Sequence, residues 1–219
     1  MNTDPVEYYR QRALEYEAIY QKPERQGDLY EAEISLQERL AGLDVLEIAC
    51  GTGYWTEKIA QTARSICAGD INEAVLTIAR TKACPCPVNF RQEDFYQLPP
   101  HGEGPGFDAL FGGFIWSHIP RQKLSDVLGD LQKRIVPGGR LVFIDNRFVE
   151  SSSTPIHSRD DAGNTYQQRR LGDGTEHMVL KNFPSPDEIR RLLSPFGTTE
   201  MLELTYFWLA DCRLFSNKR

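Results

Sequence analysis

Short apolar runs alternate with longer amphipathic stretches along the chain from about residue 45 onward. Runs of a few residues that end at glycine, proline or an acid are typical of buried strands. The pattern predicts five strands, at residues 45–49, 65–69, 88–91, 107–112 and 140–145. Helices are predicted after three of them, at residues 54–63, 73–83 and 120–136. This alternation indicates a parallel sheet with helices on both of its faces.

The two ends of the chain depart from this alternation. The first 40 residues are helical in pattern and rich in tyrosine, and one helical face can carry Tyr9, Tyr16 and Tyr20. This segment either closes a ligand site as a lid or covers the sheet as an ordinary packing helix. Residues 147–173 are polar and show no period, which predicts a loop with no more than one short helix.

The C-terminal region returns to a regular pattern. A helix is predicted at residues 186–194, where proline and two acids begin it. Residues 200–209 and 212–215 predict two strands joined by a tight turn. Such an antiparallel pair is either an edge of the sheet or an interface with a second copy, so the sequence leaves a monomer and a homodimer both open.

Composition narrows the range of partners. The 219 residues carry a formal charge of −6 and have a pI near 5.3, and no strongly basic segment stands out. These values argue against nucleic acid as a partner. The first residues carry acids and no apolar run, and no stretch approaches the ~18 apolar residues of a membrane span. We therefore expect a cytoplasmic protein with no membrane partner.

The five cysteines do not predict a metal site. Their odd number and the absence of a secretory signal favour reduced thiols. Cys84 and Cys86 form the only close pair, and their spacing is not the one that zinc sites use. We expect no bound metal, and we interpret this pair as part of a loop before the third strand.

The most informative motif spans residues 45–56, with the sequence VLEIACGTGYWT. A strand, a glycine turn and a helix in this order open a nucleotide-binding α/β unit. The third glycine of the dinucleotide pattern is absent, because Thr56 stands there, which argues against a nicotinamide-dependent oxidoreductase. An acid, Glu47, lies four residues before Gly51 and suits a ligand with a cationic amino-acid end.

The combination of Glu47, Gly51 and Gly53 in this context resembles the first motif of the class I S-adenosylmethionine (SAM)-dependent methyltransferases. The resemblance covers residues 43–146 well and the rest loosely, and it is greatest to the small methyltransferases of quinone, biotin and natural-product pathways. The chain departs from the family at Ala49 and Cys50, where many relatives carry glycine. These two residues narrow the first turn slightly.

The resemblance implies a Rossmann-like α/β fold. It is a doubly wound, mostly parallel seven-stranded sheet with an antiparallel C-terminal strand pair and an N-terminal helical lid. It also implies one methyltransferase domain over residues 1–219. Its expected parts are a helical cap (1–42), a SAM-binding core (43–146), and a substrate-side loop with the C-terminal strands (147–219).

The resemblance also implies a set of cofactor-binding residues near the ends of the strands. Asp70 follows the second strand by the offset at which an acid meets ribose hydroxyls, although a role in starting the next helix is the alternative. Ile71 and Phe95 are expected beside the adenine ring, and Asp94 is expected to accept its amine. The expected SAM-binding residues are Glu47, Gly51, Gly53, Asp70, Ile71, Asp94, Phe95, Gly112 and Tyr16.

The expected chemistry is methyl transfer by in-line displacement to an oxygen or nitrogen of a small-molecule acceptor. The protein then mainly aligns the nucleophile, and a base is needed only if the nucleophile must lose a proton. His118 is the candidate base, with packing against the next helix as the alternative. Trp116, Arg147 and Tyr20 are the candidate substrate contacts, with packing in the core as the favoured alternative for Trp116 and an ordinary surface charge as the alternative for Arg147.

Further cations accompany Arg147 after the fifth strand and offer contacts for an anionic substrate: Arg159, Arg169, Arg170 and Lys181. Each of them is also consistent with an ordinary surface charge. Two other functions keep the same cofactor. One is methylation of a protein or RNA, and the other is SAM binding without catalysis.

Overall fold

The computed structural model describes residues 5–12, 16–98 and 106–216, without the side chains of residues 5, 6, 11, 16 and 18. Its centre is a seven-stranded sheet with the order β3-β2-β1-β4-β5-β10-β9. The strands are β1 Asp44–Ile48, β2 Ser65–Asp70, β3 Val88–Gln92, β4 Phe107–Gly113, β5 Ile135–Asn146, β9 Gly197–Glu203 and β10 Phe207–Leu214. Three shorter strands form a second, antiparallel sheet: β6 Ser158–Arg159, β7 Thr165–Arg170 and β8 Glu176–Leu180.

Helices cover both faces of the large sheet. They are α1 Pro5–Arg12, α2 Gln26–Leu40, α3 Tyr54–Ile59, α4 Glu73–Ala79, α5 Leu124–Leu131 and α6 Pro186–Leu193. Short 3-10 turns occupy Tyr16–Gln21, Pro23–Arg25, Phe95–Gln97, Trp116–His118, Arg121–Lys123 and Gln132–Arg134. Among the described residues, no helix combines the length and the apolar character that crossing a bilayer requires.

The strand directions follow the prediction for a doubly wound fold. Strands β1 to β5 pair in parallel, whereas β10 runs antiparallel to both β5 and β9. Alternate residues of β1 point to opposite faces, so Val45 packs in one core and Leu46 in the other. The predicted Rossmann-like sheet with its antiparallel C-terminal pair and N-terminal helix is confirmed.

Local sequence explains where several elements begin. Helix α6 starts with a capping box, in which Ser185 Oγ accepts from the Glu188 N–H at 3.2 Å and the Glu188 carboxylate accepts from the Ser185 N–H at 2.8 Å. Pro186 occupies the first helical position, where an N–H would have no partner within the helix, so the missing N–H of proline costs no hydrogen bond. This helix lies within one residue of its predicted bounds.

Three predictions about the second half of the chain are wrong. The polar region after β5 contains the three-stranded sheet, because its buried positions carry Thr165 and Gln167 and so lack apolar alternation. The C-terminal strands turn at residues 204–206, where Leu204 is buried like a strand residue. Strand β5 begins at Ile135, and the preceding helix is shorter than predicted.

The N-terminal helix packs on the small sheet. Tyr8 of α1 is buried against Leu171 and Val179, at and beside strands β7 and β8. The predicted single face of three tyrosines is not formed by one helix, because Tyr9 lies in α1 and Tyr20 in a separate 3-10 turn. Helix α1 and the small sheet together form the wall of a cavity above the large sheet.

Candidate active site

The turn after β1 is built from left-handed residues. Ala49, Gly51 and Gly53 have φ angles of 50°, 56° and 78°. The carboxylate of Asp70, at the end of β2, holds this turn by accepting from the Gly51 N–H at 2.9 Å. It also accepts from the Asn72 N–H at 2.8 Å, which fixes the chain between β2 and α4. The two neighbouring strand ends are therefore joined through one carboxylate.

The strain at Ala49 gives a stability prediction. A residue with a Cβ loses about 1–2 kcal/mol in the left-handed region, whereas glycine adds about 0.5–1 kcal/mol of entropy to the unfolded chain. We expect Ala49→Gly to raise the free energy of unfolding by about 0.5–1 kcal/mol in urea denaturation. The matched change Ala32→Gly, in helix α2, should lower it by about 1 kcal/mol or more. Equal destabilisation by both changes would contradict the argument.

A cavity of about 290 Å³, here called cavity A, lies beyond the ends of β1, β2, β3 and β4. Its walls are mainly apolar, with acids from two strand ends at the rim. Ile71 and Tyr96 are 41% and 49% exposed, and the rings of Phe95 and Tyr96 lie 4.2 Å apart. Its lining residues are Tyr9, Ala49, Gly51, Asp70, Ile71, Asn72, Val75, Glu93, Asp94, Phe95, Tyr96, Gly113, Phe114, Ile115 and His118.

Cavity A brings together five of the expected cofactor residues: Gly51, Asp70, Ile71, Asp94 and Phe95. The carboxylate of Asp94 begins the turn after β3, because it accepts from the Tyr96 N–H and from Gln97 Nε2, each at 2.9 Å. Sequence reasoning missed Tyr96 and Gly113. The expected contact at Tyr16 falls on a side chain outside the described part of the structure.

Two of the expected glycines do not line either cavity. A Cβ at Gly112 would lie 2.8 Å from the ring of Phe143, so this glycine makes room for the core of the sheet. A Cβ at Gly53 would lie 3.1 Å from Ala79, so this glycine lets α3 and α4 approach each other. Both glycines thus have packing roles, and their expected roles as ligand contacts stay predictions. The strand alternation would have selected Gly113 instead, since it faces the opposite side from Gly112.

Glu47 also lies behind the turn, outside the lining of cavity A. It is only 1% exposed, and one of its carboxyl oxygens has no hydrogen-bond partner among the described residues. Burial raises the pKa of Glu47 to about 8, the nearby Thr56 hydroxyl opposes this, and Asp70 adds to it. Its expected pairing with a cationic ligand group therefore stays a prediction.

A second cavity of about 430 Å³, here called cavity B, lies under α1 and beside the small sheet. Six of its lining residues carry cationic side chains, and no aspartate or glutamate is among the described lining residues. The six are Arg12, Lys22, Arg25, Arg169, Arg170 and Lys181. This concentration of positive charge contrasts with the net charge of −6 of the whole chain. Cavity B is therefore suited to an anion.

The two cavities meet at three shared residues, Tyr9, Phe114 and His118. The hydroxyl of Tyr9 and Nε2 of His118 lie 2.8 Å apart. Burial, together with the charges of Lys181 and Arg169, holds the pKa of His118 well below its usual value. The ring is therefore neutral at pH 7, and we assign Nε2 as the acceptor of the Tyr9 hydroxyl.

Arg169 of cavity B is surrounded by neutral partners, the side chains of Tyr8 and Tyr9 among them. Its Nη2 donates to Gln167 Oε1 at 2.8 Å, and its guanidinium lies 5.9 Å from the centre of the Tyr8 ring. No carboxylate of the described residues lies within ion-pair distance of it. A guanidinium that is desolvated in this way gains strongly from an anionic ligand.

Lys181, unlike Arg169, is paired with a carboxylate and held by buried hydrogen bonds. Its Nζ donates to Ser117 Oγ at 2.6 Å and to Asp145 Oδ1 at 2.9 Å, and all three side chains are buried. The other oxygen of Asp145 accepts from the Ser117 N–H at 2.9 Å. Burial lowers the pKa of Lys181, and the Asp145 carboxylate opposes that shift. This network joins strand β8 of the small sheet to the end of β5.

Two of the three expected substrate contacts lie elsewhere. Trp116 is completely buried in the core, 5.1 Å from the ring of Phe143 and 5.6 Å from that of Trp208. Arg147 is exposed and donates to the carbonyl of Leu204, away from both cavities. Neither side chain lines either cavity, and both roles stay predictions. Tyr20 lines cavity B, where its ring stacks on Tyr54 at 3.7 Å.

Of the further cations that were predicted after β5, some line a cavity and one does not. Arg169, Arg170 and Lys181 line cavity B, whereas Arg159 is an exposed residue of β6 outside it. Sequence reasoning missed Arg12, Lys22 and Arg25, which come from the N-terminal segment and have no spacing pattern in common. Among the described residues, no group of three or more histidines, cysteines or acids is arranged to hold a metal ion.

Comparison with known proteins agrees with this geometry. The family model described as "Methyltransferase domain" matches residues 45–139. A ubiquinone biosynthesis O-methyltransferase from Rhizobium rhizogenes is 29% identical over 161 residues, which are 72% of this chain and 60% of that relative. The chain thus spans less than two thirds of the length of this relative.

Solved structures match over nearly the whole chain. The complex of DhpI with SAH has a TM-score of 0.79 at 28% identity and covers 97% of this chain and 96% of DhpI. The complex of DhpI with SAM and HEP has a TM-score of 0.77 at 28% identity, with 95% of each chain covered. Together with the glycine motif, the strand order and the lining of cavity A, these matches support a class I SAM-dependent methyltransferase.

Proposed function

We propose that this protein transfers the methyl group of SAM to an oxygen of a small anionic acceptor. The observation that carries the proposal is the charge of cavity B, where six cations and no described carboxylate line a space that meets cavity A. An acceptor bound there has access to cavity A only at Tyr9, Phe114 and His118 among the described residues. The relative from R. rhizogenes is itself an O-methyltransferase by name, which supports oxygen as the acceptor atom.

The residues of cavity A fit the cofactor of the family. Asp70 retains lone pairs for ribose hydroxyls beside those that hold the turn, and Asp94 retains lone pairs for the adenine amine. Ile71, Phe95 and Tyr96 supply apolar surface for a planar ring. The unsatisfied oxygen of Glu47 suits a nearby positive charge. When bound, SAM supplies a methyl group that is activated by a positive sulfur.

The low pKa of His118 bears on which kind of acceptor group the site favours. A hydroxyl or an amine acceptor must lose a proton, and we propose His118 as the base that takes it. However, a ring whose pKa is held low is a weak base. An acceptor that arrives as an oxyanion uses its own electron pair to form the new O–CH₃ bond and loses no proton. The site therefore favours an acid over an amine, and the reacting oxygen lies beside Tyr9 and His118.

Removal of the Asp70 charge should weaken cofactor binding selectively. We expect Asp70→Asn to raise the Kd of SAM by about 30-fold, which corresponds to about 2 kcal/mol for a charge-assisted hydrogen bond. The amide also places an NH₂ group against a backbone N–H of the turn. Calorimetric titration measures the change, and Asp126→Asn on the exposed side of α5 is the control. A Kd within about 3-fold of the wild type would contradict the assignment.

The proposed function is tested by pairing acids with their neutral amides. We expect release of SAH with small carboxylates or phosphonates, such as butanoate or propylphosphonate, and none above background with the matching amides. The reason is that only the anion is stabilised by cavity B. Turnover of amides or amines in preference to acids would overturn the proposal.

A further inference from the structure

Two cations converge on one backbone carbonyl in the wall of cavity B. Lys22 Nζ donates to the carbonyl of Ser152 at 3.0 Å, and Arg25 Nη2 donates to the same oxygen at 3.1 Å. Arg25 Nη2 also donates to Ser152 Oγ at 2.8 Å, and its guanidinium lies 5.3 Å from the centre of the Tyr206 ring. These contacts hold two positive charges side by side, facing a neutral acceptor.

The carboxylates nearby do not neutralise this pair. Glu24 is exposed and accepts from the Ser152 hydroxyl at 3.0 Å, and Asp28 accepts from the Tyr206 N–H at 2.6 Å. Neither carboxylate, nor any other among the described residues, forms an ion pair with Lys22 or Arg25. Burial lowers the pKa of Arg25, which Glu24, Tyr206 and Asp28 only partly oppose. Within the described ranges the charge pair therefore lacks a direct counter-ion.

Hydroxyl groups complete the surroundings of the pair. Ser153 and Thr154 line cavity B next to Ser152. Ser153 Oγ accepts from the Val149 N–H at 3.0 Å, so its proton is available to another acceptor. Two cations and a neighbouring hydroxyl donor form the kind of set that binds the several oxygens of a carboxylate or phosphonate.

Lys22 and Arg25 belong to a different part of the chain from the cations that face the junction, although the charge of Arg25 still reaches Lys181. Arg169 and Lys181 come from the small sheet and influence His118 directly. Lys22 and Arg25 come from the N-terminal turns and contact the loop after β5. One anionic group at the junction uses the first set and leaves the second without a ligand.

We propose that the acceptor carries two separate anionic groups, and that Lys22 and Arg25 bind the one that is not methylated. This inference rests on the proposed function and adds to it a class of substrate, a small diacid with carboxylate or phosphonate groups. The group at Tyr9 and His118 becomes the ester, and the group at Lys22 and Arg25 keeps its charge and sets the orientation.

The test compares diacids with monoacids of the same shape: succinate with succinamate, glutarate with glutaramate, and 3-phosphonopropanoate with its carboxamide. We expect kcat/KM, measured by SAH release, to be about 10-fold or more higher for at least one diacid than for its monoacid. The double variant Lys22→Met/Arg25→Met should lose about 10-fold or more for that diacid and change its monoacid by less than about 2-fold.

The control is Lys133→Met/Arg190→Met, which removes two exposed cations outside both cavities and should retain the diacid preference. Lys22→Met alone, with an expected loss of about 5-fold, serves if the double variant does not fold. Equal turnover of diacids and monoacids, or a preference that survives in the double variant, would overturn the inference while the proposed function stands.

If no acid is turned over, a binding measurement tests the second anion site independently of the proposed methylation. Succinate and succinamate are titrated calorimetrically into the protein saturated with SAH. Tighter binding of succinate that is lost in Lys22→Met/Arg25→Met supports the second anion site, although the proposed methylation of acids then fails. Equal binding of the two probes overturns the second anion site as well.

Discussion

We expect the Arg169→Met variant to lose about two to three orders of magnitude in kcat/KM for the acceptor, or about 3–4 kcal/mol. The guanidinium is only partly exposed, its partners Tyr8, Tyr9 and Gln167 are neutral, and the described residues supply no carboxylate for it, so an anionic acceptor adds the opposite charge that these residues lack. The loss should fall mainly on KM. SAM binding should change by less than about 3-fold, because Arg169 does not line cavity A.

The matched control is Arg159→Met. Arg159 belongs to the same small sheet but is exposed and lies outside cavity B, so its removal should leave kcat/KM within about 2-fold. Steady-state kinetics with the best acid of the panel measures both variants. If Arg169→Met and Arg159→Met have equal effects, Arg169 does not bind the acceptor.

The second large effect concerns the free energy of unfolding. We expect Lys181→Met to lower it by about 3–5 kcal/mol, because Asp145 is left as a buried carboxylate without its counter-ion. The N–H groups of Ser117 and Asn146 still donate to Asp145, but two dipoles do not replace a full charge. Urea denaturation followed by circular dichroism measures the change.

The double variant Lys181→Met/Asp145→Asn distinguishes charge from packing. It removes both charges at once, so its stability should return to within about 2 kcal/mol of the wild type. A double variant no more stable than Lys181→Met would contradict the account, because the loss would then come from packing around the lysine stem. The network would in that case have no electrostatic role in joining the small sheet to β5.

The sequence predicted the parts of the molecule that local pattern controls. The five parallel strands are apolar runs between clear breaks, so their positions along the chain followed from this pattern. The residues that line cavity A, such as Asp70 and Phe95, directly follow strands, and parallel strands bring their carboxyl ends to one edge. Two adjacent glycines end β4, and the sequence did not show that Gly113 rather than Gly112 lines the cavity.

Cavity B was largely beyond sequence reasoning. Its cations come from α1, the following turns and the small sheet, and no motif joins positions as distant as Lys22 and Lys181. The small sheet was missed because hydrogen bonding rather than apolar burial satisfies Thr165 and Gln167. Trp116 was assigned to the substrate because it follows β4, but its 3-10 turn directs the ring into the core.

The charge of the site also explains how an acidic protein handles an acidic ligand. The net charge of −6 repels anions at long range, whereas the six cations of cavity B act at short range, where salt screens them least. Methylation removes one negative charge from the acceptor, so the product is held less strongly than the substrate. Product release is favoured by the same electrostatics that bind the acid.

The most direct test of the central claim follows the methyl group itself. The protein is incubated with SAM that carries a trideuteromethyl group and with the panel of small acids, and the products are identified by mass spectrometry. We expect the label on an ester oxygen, with alkaline hydrolysis restoring the unlabelled acid where the acceptor is a carboxylate. Label on nitrogen, or no transfer to any acid while amines or phenols are labelled, would contradict the claim that cavity B presents an oxyanion to the cofactor.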